Sequence, residues 1–445
     1  MDADEFRRSG GEMVDFIADY LQNIRQRRPL PAVSPGYLKK LISEEAPSDG
    51  ESWESVKDDI EKVIMPGVSS AHTFREPLLA SSPACTELEM IALDWLGKML
   101  RLPQDFLFSG ERQGGSIILG GASEAILISL ISARKAAINK LRCLDPQLTN
   151  GQALDKLVAY TSDQTHCCME KSCLIGLVSL TILPSDTTGA LSWETLEAAI
   201  CRDLARGLVP VFFCATIGTT STCAFDNLAE LGPVCNKYGV WMHVDAAYAG
   251  SACICPEFRY LLDGVEHCTS ISVSPHKWLL VNYDCTALWT LSHPQHWQVN
   301  MGRRFRSLKL WFVLRMYGVK GLQERIRQDV HLAKQFAQMV KADSRFELIG
   351  DVTLGLVCFR LKHCNCVNEE LHEKLKSDRR IHLIPSSFKG KFFLRFVICP
   401  ASTQLQDVSF AWSVINEITD GITRHCATRR AKPPGSCACI TIRHS

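Results

Sequence analysis

From Gly114 onward the chain alternates two textures that few folds accommodate together. Short apolar runs fall at residues 156–161, 209–216, 240–245, 269–273 and 286–289, and helix-period segments fit between them at 192–206 and 227–238. Strands that lack polar alternation are buried on both faces, and a strand–helix–strand order pairs strands in parallel. The spacing therefore predicts an α/β fold around a mostly parallel sheet. Composition can supply the core, because 46% of the 445 residues are hydrophobic, which excludes a wholly disordered chain.

The flanks read differently. Phe6, Met13, Val14, Ile17, Tyr20, Leu21 and Ile24 recur at helical spacing within residues 1–25, whereas 29–49 is rich in Pro, Gly and Ser and reads as a loop. A second helix is expected over 52–65, stopped by Pro66-Gly67. A third has Ser82 as N-cap, Pro83 as its first residue, and a stripe of Leu88, Ile91, Trp95, Met99 and Leu100 before Pro103. After Arg303 a long helical stretch (308–342) precedes strand-like runs at 354–361 and 392–399, with helices near 369–376 and 405–424. The expected division is an N-terminal helical segment (1–80), a large α/β domain (81–309), a small α+β domain (310–425) and an aperiodic, disordered tail (426–445).

Several partner classes are disfavoured. Lys plus Arg (49) nearly equals Asp plus Glu (48), so nothing favours nucleic acid. The longest apolar runs, 208–216 and 173–183, fall short of the roughly 18 residues of a membrane span. The acidic start Met1-Asp2-Ala3-Asp4-Glu5 leads into no apolar signal region, so a cytoplasmic protein with reduced thiols is expected. None of the 20 cysteines forms a Cys-x-x-Cys pair. The close pairs Cys167-Cys168, Cys253/Cys255, Cys364/Cys366 and Cys437/Cys439 lack structural-zinc spacing, and no metal is expected.

Ligands of open α/β sheets sit at the C-terminal ends of strands, so the polar residues ending each apolar run are the candidates. Gly120-Gly121-Ala122-Ser123 opens a helix and suits an anion; it also suits an ordinary turn before a core helix. Thr216-Ile217-Gly218-Thr219-Thr220 ends the 209–216 run. Asp245 ends an apolar strand, where a carboxylate is either a structural pair or cap, or the partner of a protonated ring nitrogen. Lys277, in Ser274-Pro275-His276-Lys277-Trp278, either reaches solvent or is a desolvated amine able to bond an aldehyde. His166 alone reads as a satisfied histidine. Together Ser123, His166, Asp245 and Lys277 supply what pyridoxal phosphate requires: an amine, a carboxylate at the ring nitrogen, a helix start for the phosphate and a flat group over the ring.

At these residues the sequence resembles the group II pyridoxal-phosphate-dependent amino-acid decarboxylases, most closely the aromatic-L-amino-acid (dopa) branch, with histidine decarboxylase as nearest sibling. Asp245-Ala246-Ala247-Tyr248 and Pro275-His276-Lys277-Trp278 carry the resemblance most specifically, and it covers most of residues 1–425. It implies a fold type I, aspartate-aminotransferase-like domain and a homodimer clasped by the N-terminal helices. It also implies decarboxylation of L-dopa or 5-hydroxytryptophan. Lys277 would bond the cofactor, Asp245 would keep its ring nitrogen protonated and His166 would stack on the ring. Ala122, Ser123, Thr220 and Ser270 would hold phosphate or ring, Ala247 would pack against it, and His276 would line the site.

The sequence departs from that family in three places. Between Pro66-Gly67-Val68 and Ser81 lies an unrelated 69–80, where the family has an aromatic stretch that walls the substrate pocket. From Trp289 the chain reaches His296-Trp297-Gln298 through only 290–295, where the family has a mobile loop with the tyrosine that returns a proton to the substrate carbon. Ser274 stands where the family has an asparagine. These departures imply impaired activity. The alternatives are an inactive or regulatory shortened form that dimerises with a full-length partner, or a histidine decarboxylase.

Overall fold

The computed structural model describes residues 3–27, 31, 33–68, 82–110, 114–291, 304–400 and 402–430. The departure at 69–80 lies outside them, as do 292–303 and the tail from 431, so of the second departure only Thr290 and Leu291 are described. The chain divides into two units, Met1–Arg327 and Gln328–Ser445.

Three helices precede the sheet of the first unit: α1 (Ala3–Gln22), α2 (Trp53–Asp59) and α3 (Pro83–Met99). The apolar stripe of α1 forms as its spacing predicts, yet Phe6, Val14, Ile17 and Leu21 are left exposed. The stripe of α3 is buried through Leu88, Trp95 and Leu96. Ser82 precedes Pro83 as expected, but its hydroxyl donates to the Gly67 carbonyl at 3.2 Å and makes no cap bond. The loop expected over 29–49 contains one helical turn, Leu38–Leu41, because Leu38 finds a buried site and its amide donates to Glu87 at 2.9 Å.

The sheet strands are β1 (Gly115–Leu119), β2 (Leu157–Ser162), β3 (Ser179–Leu183), β4 (Val209–Thr216), β5 (Trp241–Asp245), β6 (Ser270–Val273) and β7 (Thr286–Thr290), in the order β1-β7-β6-β5-β4-β2-β3. The four ladders from β6 to β3 are parallel. β7 runs antiparallel to both neighbours, because the chain from β6 to β7 holds only the helical turn Pro275–Trp278 and no crossover helix. Helices α4 (Ala122–Leu144), α5 (Cys168–Gly176), α6 (Trp193–Ala205) and α7 (Leu228–Tyr238) connect the strands, with α4 crossing β1 and β4 to β7. Ile126, Leu130, Met169, Leu157 and Phe212 meet in the core beneath it. Each such side chain contributes about 1.5–3 kcal/mol through burial.

Two strands had no strand-like signature. β1 is five residues inside a glycine-rich stretch. β3 is an exposed-edge strand at the end of the 173–183 run, whose first half is taken by α5. The helical stretch α8 (Arg306–Ala342) is interrupted at Gly318, whose φ of +64° no ordinary helix residue adopts.

The second unit is a four-stranded antiparallel sheet in the order β10-β11-β9-β8, made of β8 (Phe346–Leu348), β9 (Leu356–Leu361), β10 (Ile384–Phe388) and β11 (Lys391–Val397). Helices α9 (Asn365–Asp378) and α10 (Leu405–Arg430) accompany it. Phe336, Val357, Phe359, Leu371 and Leu394 form its core, and Phe336 stacks on Phe396 at 4.0 Å.

Candidate active site

Register brings the C-terminal strand ends together. Thr216 of β4 lies beside Asp245 of β5, and Asp245 beside Ser272 of β6. Adjacent strands are about 4.8 Å apart, so residues that follow these ends share one rim of the sheet. Gly120–Ser123, His166, Thr220, Asp245, Ala247 and Ser274–Lys277 all follow strands at this rim.

Two turns form its centre. Asp245 is buried, and its Oδ1 accepts the Ala247 amide at 3.0 Å; its other oxygen meets no hydrogen-bond donor among the described residues. Ala247 is buried, and its carbonyl accepts the Ser274 amide at 3.1 Å. Tyr248 stacks on Trp278 with ring centres 4.9 Å apart and 12° between planes. The Asp-Ala-Ala-Tyr and Pro-His-Lys-Trp turns are thereby locked to each other, which fixes Lys277 relative to Asp245. Lys277 itself is exposed, on a turn whose backbone is closed by its amide on the Ser274 carbonyl at 2.8 Å.

A residue the sequence reading took for a small hydrophobe ties these groups to the rest. The Cys168 thiol is buried, and Ser123, Asp245 and Lys277 act on it electrostatically. Burial pushes that thiol up to about 12; the Asp245 charge adds to the rise, and Ser123 and Lys277 oppose it. The signal was the position of Cys168 two residues after His166, whose Nδ1 accepts the Cys168 amide at 3.1 Å. In the neutral ring this leaves the proton on Nε2. His166 is exposed at the rim.

The turns around His166 and Thr220 are joined by Ser221 donating to Gln164 at 2.8 Å and by Thr165 and Thr216 hydroxyls 3.3 Å apart. Thr220 is exposed beside Gly218, which has φ +87° and no space for a Cβ, since one would lie 2.6 Å from Ala249 Cβ. At the opposite side, Ala122 and Ser123 are the first residues of the 23-residue α4, and a Cβ on Gly121 would meet nothing within 4 Å. Neither first-turn amide has a backbone acceptor, which suits an anion. The Gly120 amide donates to Glu124 at 2.8 Å, and nearby Asp284 pairs with Arg306 at 2.7 Å. That guanidinium pulls the Asp284 carboxyl down to about 2. Neither Asp284 nor Arg306 had a sequence signal, because they converge from separate elements.

Two expected site residues are placed elsewhere or are already engaged. Ser270 begins β6, at the far end of the strand from the rim, and is fully buried. Its hydroxyl accepts from Trp241 Nε1 at 2.8 Å and meets His243 Nδ1 at 2.8 Å. Its hydroxyl is engaged within the sheet and not open at the rim. Ser274 is at the rim, but it is fully buried and its hydroxyl pairs with Thr286 at 2.8 Å. His276 lies half-buried with Nδ1 2.7 Å from the Cys285 carbonyl, edge-on to Tyr283; burial lowers its pKa and favours the neutral ring. Among the described residues no three His, Cys, Asp or Glu side chains form a metal cluster, and no helix is long and apolar enough to cross a membrane.

The donor set fits pyridoxal phosphate: an accessible amine at Lys277, a buried carboxylate oxygen left for a cationic ring nitrogen at Asp245, and unbonded helix-start amides for the phosphate. Residues 77–293 and 291–362 match the pyridoxal-dependent decarboxylase conserved domain. The aromatic-L-amino-acid decarboxylase of Mus musculus is 47% identical over 476 aligned positions, covering 95% of this chain and 99% of that protein. The histidine decarboxylase of Drosophila melanogaster is 43% identical over 473, covering 95% of this chain and 56% of its own. The structure of Catharanthus roseus tryptophan decarboxylase in complex with L-tryptophan superposes with a TM-score of 0.73 at 40% identity, covering 95% of this chain and 99% of that one.

Proposed function

Because the chain belongs to the pyridoxal-dependent decarboxylase family, a carboxy-lyase of α/β fold type I that uses pyridoxal phosphate on an amino acid, we propose that its substrates are aromatic L-amino acids. L-dopa and 5-hydroxytryptophan are the two we assign, a step of catecholamine and serotonin synthesis. The observation that carries the reading is the locking of the Asp245-Ala246-Ala247-Tyr248 turn to the Lys277 turn at one rim of the sheet, in a chain similar to enzymes of aromatic substrates.

When bound, the cofactor supplies an electron sink for the pair left as carbon dioxide departs. Lys277 offers its Nζ to the cofactor aldehyde. Asp245, through the oxygen Ala247 leaves open, holds the proton on the ring nitrogen. His166 covers the ring face with Nε2–H, and Ala122, Ser123 and Thr220 take the phosphate. Ala247 packs against the ring and His276 lines the cleft as a neutral imidazole.

The activity is impaired. The alignment with the mouse enzyme is 476 positions long, more than the 445 residues of this chain, so that relative has internal residues with no counterpart here. We assign them to the short 69–80 and 290–295, where a pocket wall and a proton-returning tyrosine would be missing. Losing a general acid costs about 10²–10⁴-fold. The chain acts as a homodimer in the cytoplasm: the apolar stripe of α1 is exposed on a single copy, and no described cysteine is in a disulfide. Carbon dioxide release from L-dopa, 5-hydroxytryptophan and histidine, with and without added pyridoxal phosphate, tests the assignment. Slow turnover of the two aromatic substrates supports it. A rate equal to intact relatives contradicts the impairment, and a preference for histidine contradicts the substrate class. No turnover of any of the three, with cofactor bound, points to the shortened form that pairs with a full-length subunit.

A further inference from the structure

Three close cysteine pairs fall within the described residues, and they differ in a way that matters chemically. Cys253 and Cys255 are both buried, and Cys168 is buried beside the exposed Cys167. Only Cys364 and Cys366, among the described pairs, are both exposed, and their sulfurs lie 2.6 Å apart. They belong to the second unit, which contains none of the residues the catalytic reading uses.

The backbone there is held in place. Cys364 is the N-cap of the 14-residue α9, with φ −59° and ψ 164°. Asn365, between the two thiols, accepts from the Phe392 amide and from Arg360 Nη1, each at 3.0 Å, and donates to the Gly390 carbonyl at 2.8 Å. Asn368, one turn on, accepts the Leu361 amide at 2.7 Å and donates to the Cys364 carbonyl at 3.1 Å. The Arg360 guanidinium, paired with Glu347 at 3.4 Å, also donates to the His363 carbonyl and so ties the turn to β8 and β9. The two thiols are thus presented together by a loop that has little freedom to separate them.

They are also unequal. The Cys364 thiol is drawn below the ordinary range, chiefly by its hydrogen bond from Cys366 and then by the Val367 and Cys366 amides, while Cys366 is raised. Helix starts favour thiolates, and the thiolate is the attacking species.

We propose that Cys364 and Cys366 form a redox-active dithiol that exchanges with small-molecule disulfides and closes to an intramolecular disulfide. Cys364 thiolate attacks one sulfur of the small disulfide. That S–S bond breaks, one thiol leaves and takes up a proton, and a mixed disulfide forms on Cys364. Cys366 loses its proton and attacks the Cys364 sulfur, which expels the second thiol. Two cysteine thiols are oxidised and one small disulfide is reduced to two thiols.

The test uses the full chain equilibrated with reduced and oxidised glutathione, alkylated and digested with trypsin. Cleavage after Lys362 and Lys374 releases a peptide, 363–374, that holds these two cysteines and no others. The expected result is loss of two hydrogens from that peptide and no retained glutathione, while the lone exposed Cys143 stops at a mixed disulfide. In C366S the adduct is trapped on Cys364. In C364S it forms on Cys366 about threefold more slowly, because Cys366 lacks the N-cap position at the helix start that favours the Cys364 thiolate. A peptide that stays a dithiol, or carries two glutathiones, overturns the proposal. Equal rates in the two variants overturn the role given to Cys364.

Discussion

The two ends of β5 and β6 bury polar side chains a few residues apart, yet in opposite conditions. Toward the far end, Trp241 donates to Ser270, and His243, midway along β5, meets Ser270 at Nδ1 (2.8 Å) and reaches Ser272, beside Asp245, at Nε2 (3.4 Å). Every group there finds its partner within the chain. At the rim, Asp245 keeps an oxygen without a donor among the described residues, Lys277 reaches solvent, and the Ala122 and Ser123 amides have no backbone acceptor among the described residues. Buried polar groups that satisfy each other specify the fold; those left open specify a ligand. Substitutions at the two ends should therefore separate activity from stability.

The largest effect is expected at the rim. Asp245→Asn keeps the Ala247 bond but lacks the charge that holds a ring proton. Turnover should fall about 10²–10⁴-fold while stability changes by less than ~1 kcal/mol. Steady-state rates paired with urea unfolding check both; a large stability loss with normal turnover would reverse the comparison. At the far end, His243→Ala should cost roughly 2–4 kcal/mol in the same unfolding measurement, since it opens a void and strips partners from two buried hydroxyls. Turnover per folded molecule should stay within about threefold of the parent.

The same histidine predicts a pH dependence. Burial pushes its pKa down to about 3 from the ordinary 6.5. Below pH 6.5 the unfolded chain takes up a proton that the folded chain refuses. The contribution of His243 is therefore full above that pH and declines toward pH 3, by about 1.4 kcal/mol per unit. Urea midpoints between pH 7 and 5 should show that slope, and His243→Ala should lack it; an unchanged slope in the variant would show that other groups carry it.

The smallest effect sharpens the boundary between the two ends. Ser274 is at the rim by sequence, but its hydroxyl is engaged with Thr286. Ser274→Ala should cost about 1 kcal/mol of stability and leave pyridoxal phosphate affinity, read by fluorescence titration, within about threefold. A tenfold loss of affinity would return Ser274 to the cofactor site.

How legible all this was depends on what kind of information each residue carries. β4 occupies residues 209–216, the range its apolar run predicts, and α7 likewise follows its periodicity. Asp245 and Lys277 stood out because strand ends can be read from where an apolar run stops. β1 and β3 could not, since β1 is buried but only five residues long inside a glycine-rich stretch, and β3 is an exposed edge that lacks the burial that writes a signature. Ser270 was carried to the cofactor by resemblance to a motif, which names residues without saying which end of a strand they occupy. Cys168 was missed because a thiol among apolar neighbours looks like packing until the chain folds and brings Ser123, Asp245 and Lys277 to it.

The central claim is that the open end of the sheet binds its cofactor through one amine. The full chain, saturated with pyridoxal phosphate, reduced with borohydride and mapped by peptide mass spectrometry, tests it directly. The account predicts a pyridoxyl group on Lys277 and its disappearance in Lys277→Ala. An adduct on another lysine, or none on Lys277 at saturation, would contradict it.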